Sequence, residues 1–366
     1  MILTALVDAL IEAGLTIADW VVTRLYPYLR SRTGYDNPRV RHLTNLSYPL
    51  HATWVVGPNI RKWVDTRAAL FPAVLQVQTI NRCNAKCGMC PYPYTVHLQE
   101  RQVMDDGLFS KIARECAAEP DLKEFVPMAQ NEPLLDPKLE QRIAEFKSVA
   151  APHQMVEIVT NGSALTPARF SRLVQAGVDL ITISLSAHTE ATYHQVMQGL
   201  AWPALMKNLA AMASADTSKV NLFLRYVHQR ENQAEFPAYR KHWTRRGFNI
   251  FAYEINNRAG TVAGYERRQP LKSYFFRRLR KVMGRKYFQV CPHACGVAHV
   301  LQNGDVPLCA NDWQNREILG NVRNSSLREI YNSPRLQEIR ELMLGGRYDE
   351  IAPCKDCSFC NDWLKP

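Results

Sequence analysis

The sequence predicts an α/β fold, a partial (β/α)6 TIM-like barrel with an N-terminal helical extension and a small C-terminal cysteine-bearing domain. Two observations carry that prediction. From about residue 74, six short apolar runs alternate with longer amphipathic stretches, which is the pattern of a parallel sheet with helices packed outside it. After residue 290 the character changes, and six of the ten cysteines fall there.

Residues 1–69 form the expected helical extension. Its opening, "MILTALVDALIEAGLTIADWVVTRLYPYLR", is apolar, but Asp8, Glu12 and Asp19 interrupt it, and a spanning helix wants about 20 mostly apolar residues. Leu3, Leu6, Val7, Leu10 and Ile11 recur at helical spacing, so an amphipathic helix docked on the protein itself is expected, with peripheral membrane contact the less favoured alternative. A basic n-region and a small-residue cleavage site are both missing, which points to the cytoplasm. In a reducing compartment, clustered cysteines point to metal before disulfide.

The barrel is expected over 70–262. Its strands are predicted at 74–79, 124–129, 155–160, 180–185, 220–227 and 249–255, and its helices near 106–118, 137–149, 167–176, 189–214 and 234–246. Six units are too few for the closed eight-stranded barrel, and reactive groups in such sheets sit beyond the C-terminal strand ends. Residues 263–287 form a basic connector with nine basic residues against the single acid Glu266, in a chain of net charge +11. Such a run is either a solvated face or a landing surface for an acidic protein, an anionic substrate or a membrane. The cysteine-bearing domain follows at 288–366. A hydrophobic content of 46% and a charged content of 22% over 366 residues exclude disordered and collagen-like chains.

The first expected strand runs into "NRCNAKCGMCPYPY", with Cys83, Cys87 and Cys90. Zinc normally takes four ligands, yet Cys116, within an expected helix, is the only other cysteine before residue 291. Cys116 itself is simplest as a buried small hydrophobe. Iron–sulfur clusters are held by thiolates, and three protein ligands leave one iron open. The pattern C-x3-C-x-φ-C at this place resembles the signature of the radical S-adenosylmethionine (SAM) enzymes. The resemblance implies a [4Fe–4S] cluster whose open iron binds SAM, cleaved to methionine and a 5′-deoxyadenosyl radical that abstracts hydrogen from substrate.

Further positions carry the resemblance. Gln130-Asn131-Glu132-Pro133 stands where the family has a Gly-Gly-Glu-like turn meeting the SAM amino group; the glycines are absent, while Glu132 and Pro133 match. The resemblance places Asn161, Ser184 and Arg225 toward SAM, with Arg225 on its carboxylate and Met89 near the adenine. Read by themselves, Glu132 is a helix-start carboxylate, Ser184 a plain strand residue and Arg225 a surface charge.

At the C-terminus, Cys291, twelve residues, Gly304, four residues and Cys309 are similar to the opening element of the SPASM and twitch extensions, which carry auxiliary iron–sulfur clusters. Asn303-Gly304 supplies a tight turn there. Two fully ligated auxiliary clusters would need eight thiolates, and Cys291, Cys295, Cys309, Cys354, Cys357 and Cys360 are six. One auxiliary [4Fe–4S] cluster is therefore expected, and the resemblance to a twitch-like arrangement implies Cys291, Cys309, Cys354 and Cys357 as its ligands. Cys295 and Cys360 are left to replace a ligand, to support an incomplete second cluster or to remain free thiols. A structural zinc site is the alternative for this group.

The expected function is radical SAM oxidoreduction of an unactivated C–H bond in a biosynthetic pathway, with the auxiliary cluster as electron acceptor. Arg258, after the sixth strand, is the first substrate-side candidate, joined by Tyr226, Cys295 and Cys360 as catalytic candidates, while His228 and Tyr253 are further cavity candidates. Strand alternation turns only one of Arg225 and Tyr226 inward. A radical epimerase using Cys295 or Cys360 as hydrogen donor, or a peptide maturase, are the alternatives. The expected partners are a small-molecule or peptide substrate and an acidic electron donor such as flavodoxin or ferredoxin. A non-enzymatic zinc or nucleic-acid-binding protein is a remote alternative, because no recognition helix or aromatic platform is evident beyond Tyr274, Phe275 and Phe276.

Overall fold

The computed structural model describes residues 56–98, 102–270, 282 and 289–364. The expected amphipathic helix around Leu3–Ile11 and most of the basic connector lie outside the described residues.

All six expected strands form: β1 Val74–Val77, β2 Glu124–Val126, β3 Met155–Thr160, β4 Leu180–Ser184, β5 Asn221–His228 and β6 Asn249–Glu254. Each pairs in parallel with the next. Between them run helices α1 Asp106–Ala117, α2 Leu139–Val149, α3 Pro167–Gln175, α4 Glu190–Val196, α5 Trp202–Ala213 and α6 Phe236–Thr244. Asp105, Thr166 and Thr189 start α1, α3 and α4 by accepting a backbone N–H from the first turn, the usual satisfaction of donors that a helix start leaves unpaired.

The single helix expected at 189–214 is two, α4 and α5. Gly199, at φ +85°, lies where a Cβ would stand 3.3 Å from the Lys86 nitrogen, and the Lys86 N–H donates to the Gln198 carbonyl at 2.7 Å. The helix therefore breaks where the cysteine loop docks.

Strand alternation sorts the side chains. Leu75, Phe125, Val156, Ile158, Ile181, Ile183 and Leu224 are buried in the main hydrophobic core. Phe125 stacks on Phe146 of α2 at 4.2 Å and meets Phe109 of α1 edge-on at 6.0 Å; burial of one such ring contributes about 1.5–3 kcal/mol. The opposite face places Gln76, Arg225, Phe251 and Tyr253 around a cavity.

A seventh strand, β7 Val297–Val300, pairs in parallel with the free edge of β1, Val74 opposite Val297, giving the order β6-β5-β4-β3-β2-β1-β7. It comes from the stretch expected to form a separate domain from residue 288, so that stretch shares the barrel sheet. Four residues among cysteines, with no helical pattern before them, gave no strand signal. The Asn303-Gly304 turn forms as expected, with Gly304 at φ +96°, and leads into the antiparallel pair β8 Asp305–Pro307 and β9 Ile318–Asn321.

Residues 56–66 are helical and clasp the C-terminal part of the chain. The Trp63 Nε1–H donates to Gln337 Oε1 at 2.8 Å, and Asn332 exchanges two 2.8 Å bonds with the Leu70 backbone. Among the described residues, no helix is long and apolar enough to cross a membrane.

Candidate active site

Cys83, Cys87 and Cys90 leave β1 on a loop held by backbone and side-chain bonds. Gly88 N–H donates to the Val196 carbonyl at 3.2 Å and Cys90 N–H to the Cys87 carbonyl at 3.0 Å. Asn161 Nδ2 donates to Asn84 Oδ1 at 2.8 Å, and Asn84 Nδ2 to Ser163 Oγ at 2.9 Å. Burial pushes all three thiols up, Cys83 to about 12. Repulsion from Cys90 adds to this at Cys83 and Cys87. Three partly buried thiols crowded on one loop ionise together only beside a cationic centre, and this donor set fits an iron–sulfur cluster. No three His, Cys, Asp or Glu groups among the described residues converge closely enough to hold a single metal ion.

Next to this loop, the turn after β2 divides in two. Gln130 and Asn131 line the cavity. Asn131 Oδ1 accepts from Ala129 N–H at 3.0 Å, leaving a buried Nδ2 donor without a partner. Glu132 turns away: its carboxylate accepts from Thr160 Oγ1 at 2.5 Å, Asn161 N–H at 2.7 Å and Leu134 N–H at 3.1 Å. It caps the short 3-10 turn Pro133–Leu135, so the helix-start reading describes this carboxylate. Glu132, Pro133 and Asn161 brace the loops, and none of them lines the cavity.

On β5, Arg225 faces the cavity. Its Nη2 donates to Ser184 Oγ at 3.1 Å, while Nε is buried and unpartnered. Tyr226 corrects the expectation of a catalytic role. It points into the helix layer, where its hydroxyl donates to the Asn232 carbonyl at 2.7 Å and its ring lies 4.6 Å from that of Tyr239; strand alternation gives the inward position to Arg225. Met89 packs with Val227, Ile255 and Tyr265 at the rim, and Gln229 Nε2 donates to its sulfur at 3.6 Å.

Arg258 lies on a strained turn. It and Ala259 have φ values of +49° and +53°, which cost of order 1–3 kcal/mol each for residues other than glycine. Several bonds to the C-terminal part of the chain hold the turn. Asn257 and Ser358 exchange bonds of 3.0 and 2.8 Å, Asn257 Nδ2 donates to the Asp356 carbonyl at 2.6 Å, and Arg316 Nη2 donates to the Ala259 carbonyl at 2.7 Å. Arg258 Nη1 donates to Asn311 Oδ1 at 2.7 Å. Burial would raise the Tyr253 hydroxyl pKa, but the charges of Arg225 and Arg258 and a hydrogen bond with Arg258 outweigh that and lower it. The Arg258 charge also acts on Cys90 and on Cys357, so the guanidinium stands between the two cysteine groups.

The C-terminal group is a buried nest of Cys291, Cys309, Cys354, Cys357 and Cys360. Cys360 lies in hydrogen-bonding range of Cys291, Cys354 and Cys357. Its hydrogen bond is the main cause lowering the Cys357 thiol pKa, against burial, with help from the Cys360 and Phe359 N–H groups and Arg258. Cys360 therefore sits inside the nest rather than at the cavity wall. Cys295 also departs from its catalytic expectation: it is buried beside Arg340 and Tyr331, and burial pushes its thiol up to about 12. It does not line the cavity.

The cavity between the two groups measures about 580 Å³ and is lined by Cys83 and Cys90 on one side and by Asn311, Ser358 and Phe359 on the other. Sequence reasoning missed His293, Asn311 and Trp313, which also line it. Only their closeness to Cys291 and Cys309 in the chain marked them. Burial pushes His293 down to about 4, with Arg258 adding to the shift, and its Nδ1 lies 3.3 Å from His299 Nε2.

A sequence model of the Radical SAM superfamily matches residues 77–241, and one of the SPASM iron–sulfur cluster-binding domain matches 275–358. The tungsten-containing aldehyde ferredoxin oxidoreductase cofactor-modifying protein of Pyrococcus furiosus is 26% identical over 168 residues, 44% of this chain and 46% of that protein. The chain thus spans about half the length of that relative. Among solved structures, BtrN in complex with AdoMet and 2-DOIA superposes with a TM-score of 0.56 at 17% identity, covering 80% of this chain and 94% of that one. Streptococcus suis SuiB bound to precursor peptide SuiA gives 0.62 at 12% identity, covering 84% and 74%. Native anSMEcpe with bound AdoMet gives 0.58 at 13% identity, covering 80% and 91%. At these identities the superpositions establish the fold. The two domain matches imply a SAM-binding [4Fe–4S] cluster and an auxiliary iron–sulfur cluster, which the two cysteine groups fit.

Proposed function

We propose, from the premise that this chain is a radical SAM enzyme with a C-terminal SPASM extension, that it oxidises an unactivated C–H bond of its substrate by two electrons. The observation that carries this reading is the cavity, open to Cys83 and Cys90 on one side and to the loops of the C-terminal cysteine nest on the other. When bound, the cofactors supply reductive cleavage of SAM for hydrogen abstraction and an auxiliary acceptor for the substrate's second electron.

The chain's own groups bind, orient and exclude water. Cys83, Cys87 and Cys90 hold the first cluster, and Cys291, Cys309, Cys354 and Cys357 the auxiliary one. Arg225 Nε and Asn131 Nδ2, both buried donors without partners, receive the SAM carboxylate, and Met89 packs by the adenine. Arg258 contacts the substrate. Epimerisation loses support because its thiol donors, Cys295 and Cys360, sit on Arg340 and within the nest respectively. BtrN with 2-DOIA and SuiB with SuiA share the fold, so the fold accommodates a small molecule or a peptide. An acidic electron donor such as flavodoxin or ferredoxin is drawn by the basic connector.

Iron and acid-labile sulfide content of anaerobically reconstituted protein tests the reading. About 8 irons per chain, with reductant-dependent formation of 5′-deoxyadenosine from SAM, is expected, since each [4Fe–4S] unit carries four. About 4 irons with zinc in the C-terminal nest would remove the electron acceptor and overturn the oxidation.

A further inference from the structure

Arg258 has no carboxylate partner among the described residues. Its side-chain hydrogen-bond partners are neutral, Asn311 at 2.7 Å and the Tyr253 hydroxyl. A half-buried guanidinium without a counter-charge is unfavourable in a low-dielectric site unless something neutralises it. The turn that carries it is strained and tied down by Asn257, Ser358 and Arg316, so it is not free to swing the charge out to water.

A second buried donor faces the same space. Trp313 lines the cavity, is 8% exposed, and its Nε1–H has no partner. Two acids, Glu254 and Asp362, also line the cavity, and both their charges act on Tyr265. The cavity thus holds unmatched donors as well as carboxylates. Cys90 and Cys357 feel the Arg258 charge at a distance, but no anionic oxygen among the described residues meets its fork, and a neutral acceptor could satisfy the indole alone. An anionic oxygen pair satisfies both, since the guanidinium fork matches carboxylate and phosphate oxygens.

We infer that Arg258 and Trp313, with Asn311 orienting the guanidinium, form a subsite for an anionic group of the substrate, a carboxylate or a phosphate ester, midway between the two cysteine groups. This rests on the radical SAM reading for what fills the rest of the cavity. It narrows the substrate to an acid and places its anchoring group at Arg258 and Trp313, beside the C-terminal loops.

The test is calorimetric titration of the full-length, reconstituted, SAM-loaded protein with inorganic phosphate and, separately, with acetate. Wild type is expected to bind one equivalent of at least one of them, R258Q to bind it about tenfold or more weakly, and W313F to show a smaller loss. Tighter phosphate than acetate assigns a phosphate ester and the reverse a carboxylate, and both outcomes support the subsite. No saturable binding of either anion by wild type, or wild-type affinity in R258Q at parental iron content, overturns it. Should R258Q lose iron, W313F decides, and undiminished affinity there overturns it too. The titration involves no turnover, so wild type that binds the anion without cleaving SAM would sink the proposed reaction and leave the subsite standing.

Discussion

Cys83, Cys87 and Cys90 are half-exposed on a loop beyond the end of β1, whereas Cys291, Cys309, Cys354, Cys357 and Cys360 are all buried. The open loop is held mainly through its backbone, by the segment between α4 and α5 and by Asn84. Cys291, Cys354, Cys357 and Cys360 of the nest lie within the main core, in the same cluster as Ile339, Met343, Tyr348 and Ile351, whereas Cys83 and Cys87 only pack against it. Accessibility on one side and enclosure on the other suit different tasks. An open thiolate triad leaves room for an exchangeable ligand at the cavity, while a sealed nest suits a centre that passes electrons without meeting substrate. Arg258 stands between them because its turn is pinned to the nest's own loop through Ser358 and Asp356.

The largest effect that would test this contrast is removal of the open triad. The Cys83→Ala/Cys87→Ala/Cys90→Ala variant is expected to lose about four irons and all 5′-deoxyadenosine formation while keeping its fold, as measured by iron content and circular dichroism. Global unfolding would mean that the open loop is as structural as the nest. Within the nest, Cys357→Ala is expected to cut iron from about 8 to about 4 and to lower the melting temperature, whereas Cys360→Ala keeps about 8. Iron loss in Cys360→Ala would make it a ligand and break the four-thiolate assignment. A third test is Gly296→Ala, one residue beyond Cys295. The added Cβ would lie 2.0 Å from Val56 Cγ1 and 2.8 Å from its Cβ, so this overpacking should cost about 1–3 kcal/mol by denaturant unfolding.

The barrel was legible because its strands and helices each keep one period for long enough, as in MVEIVT at 155–160 and the α1 stretch from Asp106. The open triad was equally legible, since spacing along one loop is a local property. β7 was not, because its pairing with β1 is made between residues more than two hundred positions apart, and its four residues carry no period. The subsite residues Asn311 and Trp313 were hidden for the same reason: only the fold brings them to the cavity that Arg258 lines. Tyr226 shows the limit of alternation, which says that one of two neighbours faces inward but not which. The structure turns it outward, so Tyr226→Phe is expected to leave SAM cleavage unchanged and to cost about 0.5–1.5 kcal/mol through its lost bond to the Asn232 carbonyl. A collapse of SAM cleavage at native stability would return it to the site.

The smallest expected effect is the mate of the Gly296 substitution, Gly88→Ala in the open triad. Here too an added Cβ meets atoms at close range, 2.6 Å to Arg268 Nη2 and 2.8 Å to its Cζ. The neighbour differs in kind, being the end of a long side chain that is partly exposed and held by one ion pair to Glu231 at 3.1 Å. Such a pair contributes about 0–1 kcal/mol, and the guanidinium can swing aside without moving backbone. Gly88 is not in the left-handed region, so alanine fits its backbone and recovers part of the loss by restricting the unfolded chain. The two terms nearly cancel, and the net change should fall within about 0.5 kcal/mol, against the larger cost at Gly296. Val56 cannot yield in the same way, because it is a short, buried side chain on a helical segment fixed to the C-terminal part of the chain by Trp63. Equal penalties at the two glycines in paired denaturation curves would mean that the triad loop is packed as tightly as the nest, and the distinction between an accessible and a sealed centre would have no mechanical basis.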